Sequence, residues 1–249
     1  MSLVVLDNSE KTVRILGVDV NRLTMAETLA RFDRFVESGE PHFVITADAS
    51  GLAQAQHDPE HRALFARAAL ITPDSAGVLW AARRAGCPIS ERVSGVDLVE
   101  QVCARSVQTQ HRIFFLGAAE GVADQAAERM RQRYPGCNIV GSRNGFFKPD
   151  EDMAVAAEIA QAKPDYLFVA MGIPRQEKFI LATQSVIRAG IAIGIGGSFD
   201  VISGNVPRAP RVWQRLKMEW LWRLIQNPQK LPKVMWLPKF IWYVLRDKK

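Results

Sequence analysis

The sequence has few cysteines and lacks the short motifs of several common catalytic classes. Its three cysteines, Cys87, Cys103 and Cys137, form no CxxC pair, which is typical of reduced thiols that pack as small apolar residues in a cytosolic protein. There is no GxGxxG dinucleotide fingerprint and no GxSxG nucleophile elbow. We therefore expect no bound cofactor, no disulfide framework and no nucleophilic serine.

The sequence also lacks long apolar runs. No stretch reaches the roughly 18 uninterrupted apolar residues that span a bilayer, because the longest candidate, residues 234–245, is interrupted by Pro238 and Lys239. The N-terminus carries charged residues and no apolar segment of the secretory type, so we expect no secretory signal. These absences predict a cytosolic protein without a membrane-spanning helix.

Basic and aromatic residues are concentrated at the C-terminus. Five of the six tryptophans and eleven of the 32 Lys and Arg residues lie in residues 207–249, where Glu219 and Asp247 are the only acids. This segment therefore carries +9, and because the whole chain carries +6, residues 1–206 carry −3. Tryptophan settles at membrane–water interfaces, and cations are attracted to anionic headgroups. We predict a catalytic domain at residues 1–206 and an appendage at residues 207–249 that contacts an anionic membrane surface.

Short apolar runs alternate with helical patterns along the first part of the chain. The predicted strands are His42–Thr46, Leu70–Thr72, Arg112–Leu116, Asn138–Gly141, Tyr166–Met171 and Ile191–Ile195. The predicted helices are Thr24–Glu37, Glu60–Ala68, Ala76–Ala85, Gly95–Ser106, Val122–Tyr134, Asp152–Ala162 and Arg175–Ile187. This alternation indicates βαβ units. The predicted fold class is α/β: a Rossmann-like, mostly parallel sheet with helices on both faces, followed by a basic, Trp-rich helical appendage that breaks at Asn227-Pro228.

Ligands of such sheets bind at the carboxyl ends of the strands, so the polar and glycine residues that follow strands are the candidate site. They lie at 46–48, 73–74, 117–121, 172–177 and 194–200. The turn from Gly117 suits either phosphate contact or a tight βα connection. The segment GIPRQE is more specific, because Gly172 permits close backbone approach and Pro174 fits a first helical turn. Arg175 and Gln176 then add hydrogen-bonding groups.

Acidic residues near the strand ends have two interpretations. Asp74 and Asp48 each follow a strand and precede a helix, where a carboxylate serves either as an N-cap or as a general base. Residues 150–152 read Asp-Glu-Asp, the pattern by which many sugar transferases hold a divalent metal, yet a capping role at a helix start is enough to explain them. His57 and His61 have no third ligand nearby in the sequence. No metal site is predicted.

Taken together, these and further motifs resemble the WecG/TagA/CpsF family of bacterial glycosyltransferases over essentially the full length of the chain. The matching stretches are Thr72–Val78, Arg92–Leu98, Phe115–Ala118, Asn144–Phe147, Lys163–Asp165, Gly172–Glu177, Gly196–Asp200, Arg208–Pro210 and Glu219–Leu224. Each stretch is common by itself, but their order and spacing are specific.

The resemblance implies an inverting, metal-independent transfer of a sugar from a UDP-sugar to a polyprenyl-diphosphate-linked saccharide. The enzyme would be peripheral, at the cytoplasmic face of the bacterial inner membrane. It implies that Asp74 is the base, that Thr46, Arg92 and Gln176 line the site, and that the appendage closes over the site with arginines, one of which is Arg223. The residues expected in catalysis are Asp74, Asp48 and Gln176. Those expected to bind substrate are Thr46, Arg92, Gly117, Gly172, Pro174, Arg175, Glu177, Gly196, Gly197, Asp200, Arg208, Arg223 and Lys230.

The chain departs from the family pattern at two places. Asp48 stands where the family usually has asparagine, and its carboxylate would repel a uronic-acid donor or share catalytic duty with Asp74. Lys230 and Lys233 stand where arginine is favoured, and lysine lacks the bidentate fork that clamps a diphosphate. The sequence does not distinguish among UDP-glucose, UDP-N-acetylmannosamine, its uronic acid and UDP-galactose as the donor. It also does not give the oligomeric state, and a homo-oligomer is one of the alternatives. The alternative is a nucleotide-binding oxidoreductase on a Rossmann-like fold; the acidic body argues against nucleic-acid binding.

Overall fold

Six parallel strands form the central sheet within the part of the chain that the computed structural model describes, which is residues 12–207, 209–210, 213, 219–226 and 231–247. The strand order is β4-β3-β8-β7-β5-β6. These strands are β3 (His42–Ala47), β4 (Leu70–Pro73), β5 (Ile113–Gly117), β6 (Ile139–Arg143), β7 (Tyr166–Ala170) and β8 (Ile191–Gly194). Each corresponds to a predicted strand, so the prediction of a parallel α/β sheet is confirmed.

Helices cover both faces of the sheet. Their bounds are α1 (Met25–Glu37), α2 (Ala49–Gln54), α3 (Pro59–Ala66), α4 (Ala76–Arg84), α5 (Gly95–Thr109), α6 (Val122–Arg133), α7 (Asp152–Gln161), α8 (Arg175–Ile187), α9 (Ser198–Ile202), α10 (Glu219–Gln226), α11 (Leu231–Val234) and α12 (Trp236–Arg246). The short helices α2 and α9 were not predicted, since each is six residues or fewer and shows no helical repeat. No helix of the described residues is both long and apolar enough to cross a bilayer.

The sheet separates two apolar layers. In β3, Phe43 and Ile45 pack into one layer and Val44 into the other, because successive side chains of a strand point to opposite faces. The first layer contains residues of α2, α4, α7, α8 and α12, and the second contains residues of α1, α5, α6 and α9. Both faces of the strands are therefore buried, which explains why the strands appear in the sequence as continuous apolar runs.

A hairpin that the sequence analysis missed precedes the sheet. Strands β1 (Thr12–Ile15) and β2 (Val18–Asn21) pair antiparallel through a turn at Leu16 and Gly17, whose φ values are +51° and +79°. Two successive positive φ values characterise the tight turns that join hairpins. The Asn21 side-chain oxygen accepts a hydrogen bond of 2.8 Å from the Ile71 amide. The hairpin thus satisfies a backbone donor of the edge strand β4.

The last helix, α12, packs on the body of the domain through one face. Phe240 is fully buried and Val244 is buried, and both belong to the first apolar layer. The opposite face is open: Ile241, Trp242 and Leu245 are 42%, 49% and 52% exposed. The predicted helical, Trp-rich C-terminal part is therefore confirmed. Because its inner face completes the core, α12 is also a structural part of the domain it covers.

Candidate active site

The candidate residues converge because the sheet is parallel. All strand pairs of the six-stranded sheet are parallel, so their carboxyl ends meet at one edge. The predicted segments that follow β3, β4, β5, β7 and β8 all begin there. The direction in which the chain adds strands also changes within this sheet. The connection from β3 runs to β4 at one edge of the sheet, and the connection from β5 runs to β6 at the opposite edge. The point of this change, at the carboxyl ends of the strands, is the position where ligands of open α/β sheets bind.

The structure shows which of the two strand-end aspartates caps a helix. Asp48 is the N-cap of α2, with its Oδ1 accepting from the Gly51 amide at 2.7 Å. The cap of α4 is Ser75 and not Asp74: Ser75 Oγ accepts from the Val78 amide at 3.3 Å. Asp74 is half-buried at the end of β4, where its backbone N–H donates to the Ala47 carbonyl at 2.9 Å. Capping therefore accounts for Asp48 but not for Asp74.

Ser75 is a site residue that the sequence analysis missed. Its Oγ also accepts from the Ala49 amide at 3.2 Å, so one hydroxyl joins the starts of α2 and α4. The two helices approach closely, because a Cβ added to Gly77 would lie 3.0 Å from the Ala49 Cβ. Ser75 in this way sets the relative position of Asp48 and Asp74. Its only signal in the sequence is a serine directly before a helical pattern.

Arg92 is held at the end of β4 by its neighbours in the chain. The Val93 amide donates to the Pro73 carbonyl at 3.0 Å, and Thr72 Oγ1 donates to the Val93 carbonyl at 3.3 Å. The Arg92 Nη2 lies 4.0 Å from Asp97 Oδ2, and both side chains are about one-quarter exposed (26% and 29%). The structure thus places a guanidinium and the Asp74 carboxylate on adjoining segments at one strand end.

The turn after β8 gathers two more predicted residues. Thr46 Oγ1 donates to the Gly194 carbonyl at 2.7 Å, and the Gly196 amide donates to Gln176 Oε1 at 3.0 Å. The Ile195 amide donates to the Val169 carbonyl at 2.9 Å. Thr46 and Gln176 are buried, so in this structure both hold the turn.

Two glycines leave open space above this edge. Gly172 and Gly196 have φ values of +78° and +55°, and a Cβ added to either would meet no atom within 4 Å. Such positions let a ligand come close to the backbone. Gly117 differs, because an added Cβ would lie 2.4 Å from the Ala170 carbonyl oxygen. Packing against β7 therefore explains the glycine at 117. Gly197 is exposed at the start of α9.

Two backbone amides of the turn that starts at Gly117 are hydrogen-bonded to carbonyl groups of the protein. The Ala118 amide donates to the Ala170 carbonyl at 2.8 Å, and the Val122 amide donates to the Ala119 carbonyl at 3.1 Å. Ala118 adopts a φ of +60°, which a non-glycine residue seldom does. The observed contacts fit the tight βα connection that was one of its two interpretations.

Arg175 lies in an ion pair with α7. Its guanidinium makes a bidentate pair with Asp152, with one N–O distance of 2.7 Å, and it stacks on Phe147 and Phe179 at 5.3 and 5.9 Å from the ring centres. Pro174 precedes the first residue of α8 and occupies the N-cap position. The predicted substrate contact of Arg175 stays a prediction, and the observed contacts tie α8 to α7.

The acidic run at 150–152 spans the end of a short turn and the first residue of α7. Pro149–Glu151 form a 3₁₀ turn in which Glu151 Oε2 accepts from the Lys148 amide at 2.7 Å. Asp152 is the Arg175 partner. Within the described residues, no three His, Cys, Asp or Glu side chains lie close enough together to hold a metal ion.

The two histidines that stand four apart have separate surroundings. His61 is buried and stacks on Phe65, and burial lowers its pKa, while the nearby Asp58 and Asp48 raise it in part. His57 contacts α12 instead, through a hydrogen bond between its ring Nε2 and the Tyr243 hydroxyl. The two rings therefore do not share a site, and His61 packs in the core beside Phe65.

The remaining predicted residues belong to the last part of the chain. Asp200 lies half-buried in the first turn of α9, and its carbonyl accepts from the Val206 amide at 2.9 Å. Arg208 and Lys230 lie outside the described residues. Arg223 lies in α10. These three cations stay predictions.

An exposed aromatic residue stands at the same edge. Phe146 is 76% exposed, in a loop fixed by the Gly145 amide, which donates to the Ala118 carbonyl at 3.0 Å. The Phe146 amide donates to Asn144 Oδ1, also at 3.0 Å. The sequence analysis included this stretch among the family motifs but did not assign Phe146 to the site. A phenylalanine directly after Asn144-Gly145, beyond a predicted strand, was the available sequence signal.

Comparison with known proteins gives matches over nearly the whole chain. The sequence profile of the "Glycosyl transferase WecG/TagA/CpsF family" matches residues 13–249. A Bacillus spizizenii protein named N-acetylglucosaminyldiphosphoundecaprenol N-acetyl-beta-D-mannosaminyltransferase is 35% identical over 215 residues, which is 86% of this chain and 83% of the relative. A Staphylococcus aureus protein of the same name is 30% identical over 240 residues, 95% and 93% of the two chains. Every segment of the candidate site lies inside the matched range.

Proposed function

The chain belongs to the WecG/TagA/CpsF family of glycosyl transferases, and we propose that it moves an N-acetylhexosamine from a UDP-sugar to a polyprenyl-diphosphate-linked N-acetylglucosamine. N-acetylmannosamine is the first donor sugar to test, because both relatives are named for its transfer. The observation that carries the proposal is the half-buried Asp74, which capping does not explain, at a strand end beside Arg92 and two glycines that face open space.

The proposed reaction is a single displacement that inverts the anomeric centre. Asp74 takes the proton of the acceptor hydroxyl as that oxygen attacks the anomeric carbon. The bond from this carbon to the β-phosphate oxygen breaks on the opposite face, and UDP leaves with the bonding electron pair. A carboxylate at the end of a buried strand suits this role because its position is fixed by the sheet.

Charge on the leaving UDP is proposed to be balanced by the protein. Arg92 lies at the end of β4 with its guanidinium 4.0 Å from Asp97, and guanidinium groups bind phosphates in bidentate fashion. Gly172 and Gly196 leave room for a diphosphate against the backbone. The exposed Phe146 ring supplies a flat apolar surface on which a pyrimidine base stacks. The sequence-predicted cations Arg208, Arg223 and Lys230 are proposed to approach the diphosphate from the appendage.

The acceptor is proposed to be reached from the membrane surface. The outward face of α12 carries Ile241, Trp242 and Leu245, and its cations lie over aromatic rings: Lys239 Nζ is 4.2 Å from the Trp236 ring centre and the Arg246 guanidinium is 4.1 Å from that of Trp242. A helix of this composition lies in the plane of the lipid headgroups. We propose peripheral attachment at the cytoplasmic leaflet, where a polyprenyl diphosphate presents its sugar.

Thermal unfolding with added nucleotides tests the donor class. We expect UDP at 100 times its Kd to stabilise the protein by about 2.7 kcal/mol, which is a rise in Tm of roughly 5–10 °C for a chain of this size. NAD at equal concentration is expected to have no effect. A shift with NAD and none with UDP would replace the proposal with the oxidoreductase alternative. A panel of UDP-sugars then ranks the donors.

Chelation tests the metal-independent mechanism. We expect transfer in excess EDTA to proceed at the untreated rate, because Arg92 and the backbone are proposed to stabilise the leaving diphosphate. Supporting this, Asp152 of the acidic run is already paired with Arg175. Loss of transfer in EDTA and its recovery with Mg²⁺ or Mn²⁺ would contradict the mechanism.

A further inference from the structure

Two buried polar side chains lie beneath the turn that follows β8. Gln176 and Glu177 are each 2% exposed, although amide and carboxylate groups are seldom buried without partners. The Gly196 amide donates to Gln176 Oε1 at 3.0 Å, and Gln176 Nε2 donates to Glu177 Oε1 at 2.8 Å. A chain of hydrogen bonds therefore joins the Glu177 carboxylate to the backbone of the turn.

The two ends of this chain select one orientation of the Gln176 amide. The backbone N–H of Gly196 is a donor, so it requires the carbonyl oxygen of the amide. Glu177 Oε1 accepts at 2.8 Å, so this end of the chain requires the amide nitrogen, which is the donor of the amide group. If the amide were turned over, donor would face donor at Gly196 and acceptor would face acceptor at Glu177. Glu177 thus fixes which atom Gln176 presents to the turn.

The packing around Gly194 leaves the amide little other room. A Cβ added to Gly194 would lie 2.5 Å from Gln176 Nε2 and 3.1 Å from Glu177 Oε1, so the glycine is what allows the two side chains to lie against the strand end. Thr46 Oγ1 holds the carbonyl of the same glycine at 2.7 Å. The turn therefore makes hydrogen bonds to side chains of two elements, Thr46 of β3 and Gln176 of α8.

We infer that Glu177 is a positioning residue, which through the Gln176 amide holds the Gly194–Gly197 turn in the shape that receives the donor diphosphate. This inference rests on the proposed function for its ligand. It gives Gln176 and Glu177 roles beneath the site, where the sequence analysis assigned catalysis and substrate contact. Since neither reaches the open space above Gly196 in this structure, their effect on the donor passes through the turn.

Three variants of the full-length protein test this inference. Glu177→Leu removes the acceptor, and Glu177→Gln keeps an oxygen that can accept from Gln176 Nε2. Lys178→Ala is the matched control, because the next residue along α8 is exposed and its side chain pairs with Glu60 of α3 at 2.8 Å. We expect Glu177→Leu to weaken UDP binding, measured by calorimetry, by about tenfold to hundredfold, the effect of losing one buried hydrogen-bond partner. Glu177→Gln and Lys178→Ala should stay within about threefold of the unmodified protein.

Hydrogen exchange of the segment 194–198 gives a readout that needs no ligand. We expect exchange there to be about tenfold faster or more in Glu177→Leu and unchanged in Glu177→Gln. Gly194→Ala, which displaces the amide from the other side, should accelerate the same segment. Equal exchange in Glu177→Leu and the unmodified protein would overturn the inference, as would a Glu177→Gln variant as impaired as Glu177→Leu. If UDP fails to bind the unmodified protein while exchange changes as expected, the proposed function is wrong and the positioning of the turn stands.

Discussion

Replacement of Asp74 by asparagine is expected to reduce turnover by about 10²–10⁴-fold while leaving UDP affinity nearly unchanged. Asparagine keeps the shape of the side chain but cannot take a proton from the acceptor hydroxyl. The half-buried position at the end of β4 is held by the Asp74 amide, which donates to the Ala47 carbonyl, and the substitution leaves that bond in place. Transfer to a soluble acceptor and calorimetric titration with UDP measure the two quantities separately.

Asp48→Asn is the matched control for this substitution. Asparagine caps helices about as well as aspartate, so the bond from the Gly51 amide is retained and stability should change little. We expect turnover of this variant to stay within about tenfold of the unmodified rate, because capping accounts for Asp48. If Asp74→Asn remains active and Asp48→Asn does not, the base is Asp48 and the proposed assignment is wrong.

The same two positions also show what a sequence can and cannot predict. Asp74 and Ser75 are adjacent, and either residue type is a suitable cap for the helix that follows. The choice depends on Ala49, 26 residues away, whose amide donates to Ser75 Oγ. A contact between the starts of two helices leaves no local pattern, so the sequence left open a question that the packing of α2 against α4 answers.

The sheet could be predicted because its strands are buried on both faces. The run Ile113–Gly117 is buried throughout, and such uninterrupted apolar segments between helical repeats are hard to mistake. The hairpin at residues 12–21 escaped prediction because each of its strands has four residues and alternates between buried and exposed positions. The stability of such short strands depends on their contacts with the edge strand that they cover, and these contacts leave no pattern in the local sequence.

Sequence reasoning located the polar residues at strand ends but did not reveal their partners within the protein. Arg175 follows β7 as expected, yet its partner Asp152 is 23 residues away and its stacking partner Phe147 comes from another loop. Gln176, the next residue, faces the turn after β8. Whether a polar group faces a cleft or the interior is decided by partners distant in sequence, and a single chain without its contacts does not reveal them.

The second large effect is expected from the two faces of α12. Phe240→Ala should weaken docking of this helix by about 3–5 kcal/mol, the usual result of truncating a fully buried phenylalanine. Phe240 lies against α4, where a Cβ on Gly77 would be 3.5 Å from its ring. Hydrogen exchange along residues 236–246 measures the loss, since a helix that undocks exchanges faster over its whole length.

Substitution of the outward face should give the opposite pattern. Trp242→Gln combined with Leu245→Gln removes two half-exposed apolar side chains, so unfolding free energy should change by no more than about 0.5 kcal/mol per site. Sedimentation with vesicles that contain anionic lipid should fall several-fold, because these side chains are proposed to enter the headgroup region. Transfer to a soluble acceptor should continue at the normal rate. If the double variant still sediments as well as the unmodified protein, or if Phe240→Ala leaves exchange in α12 unchanged, the division of this helix into a docking face and a lipid face is incorrect.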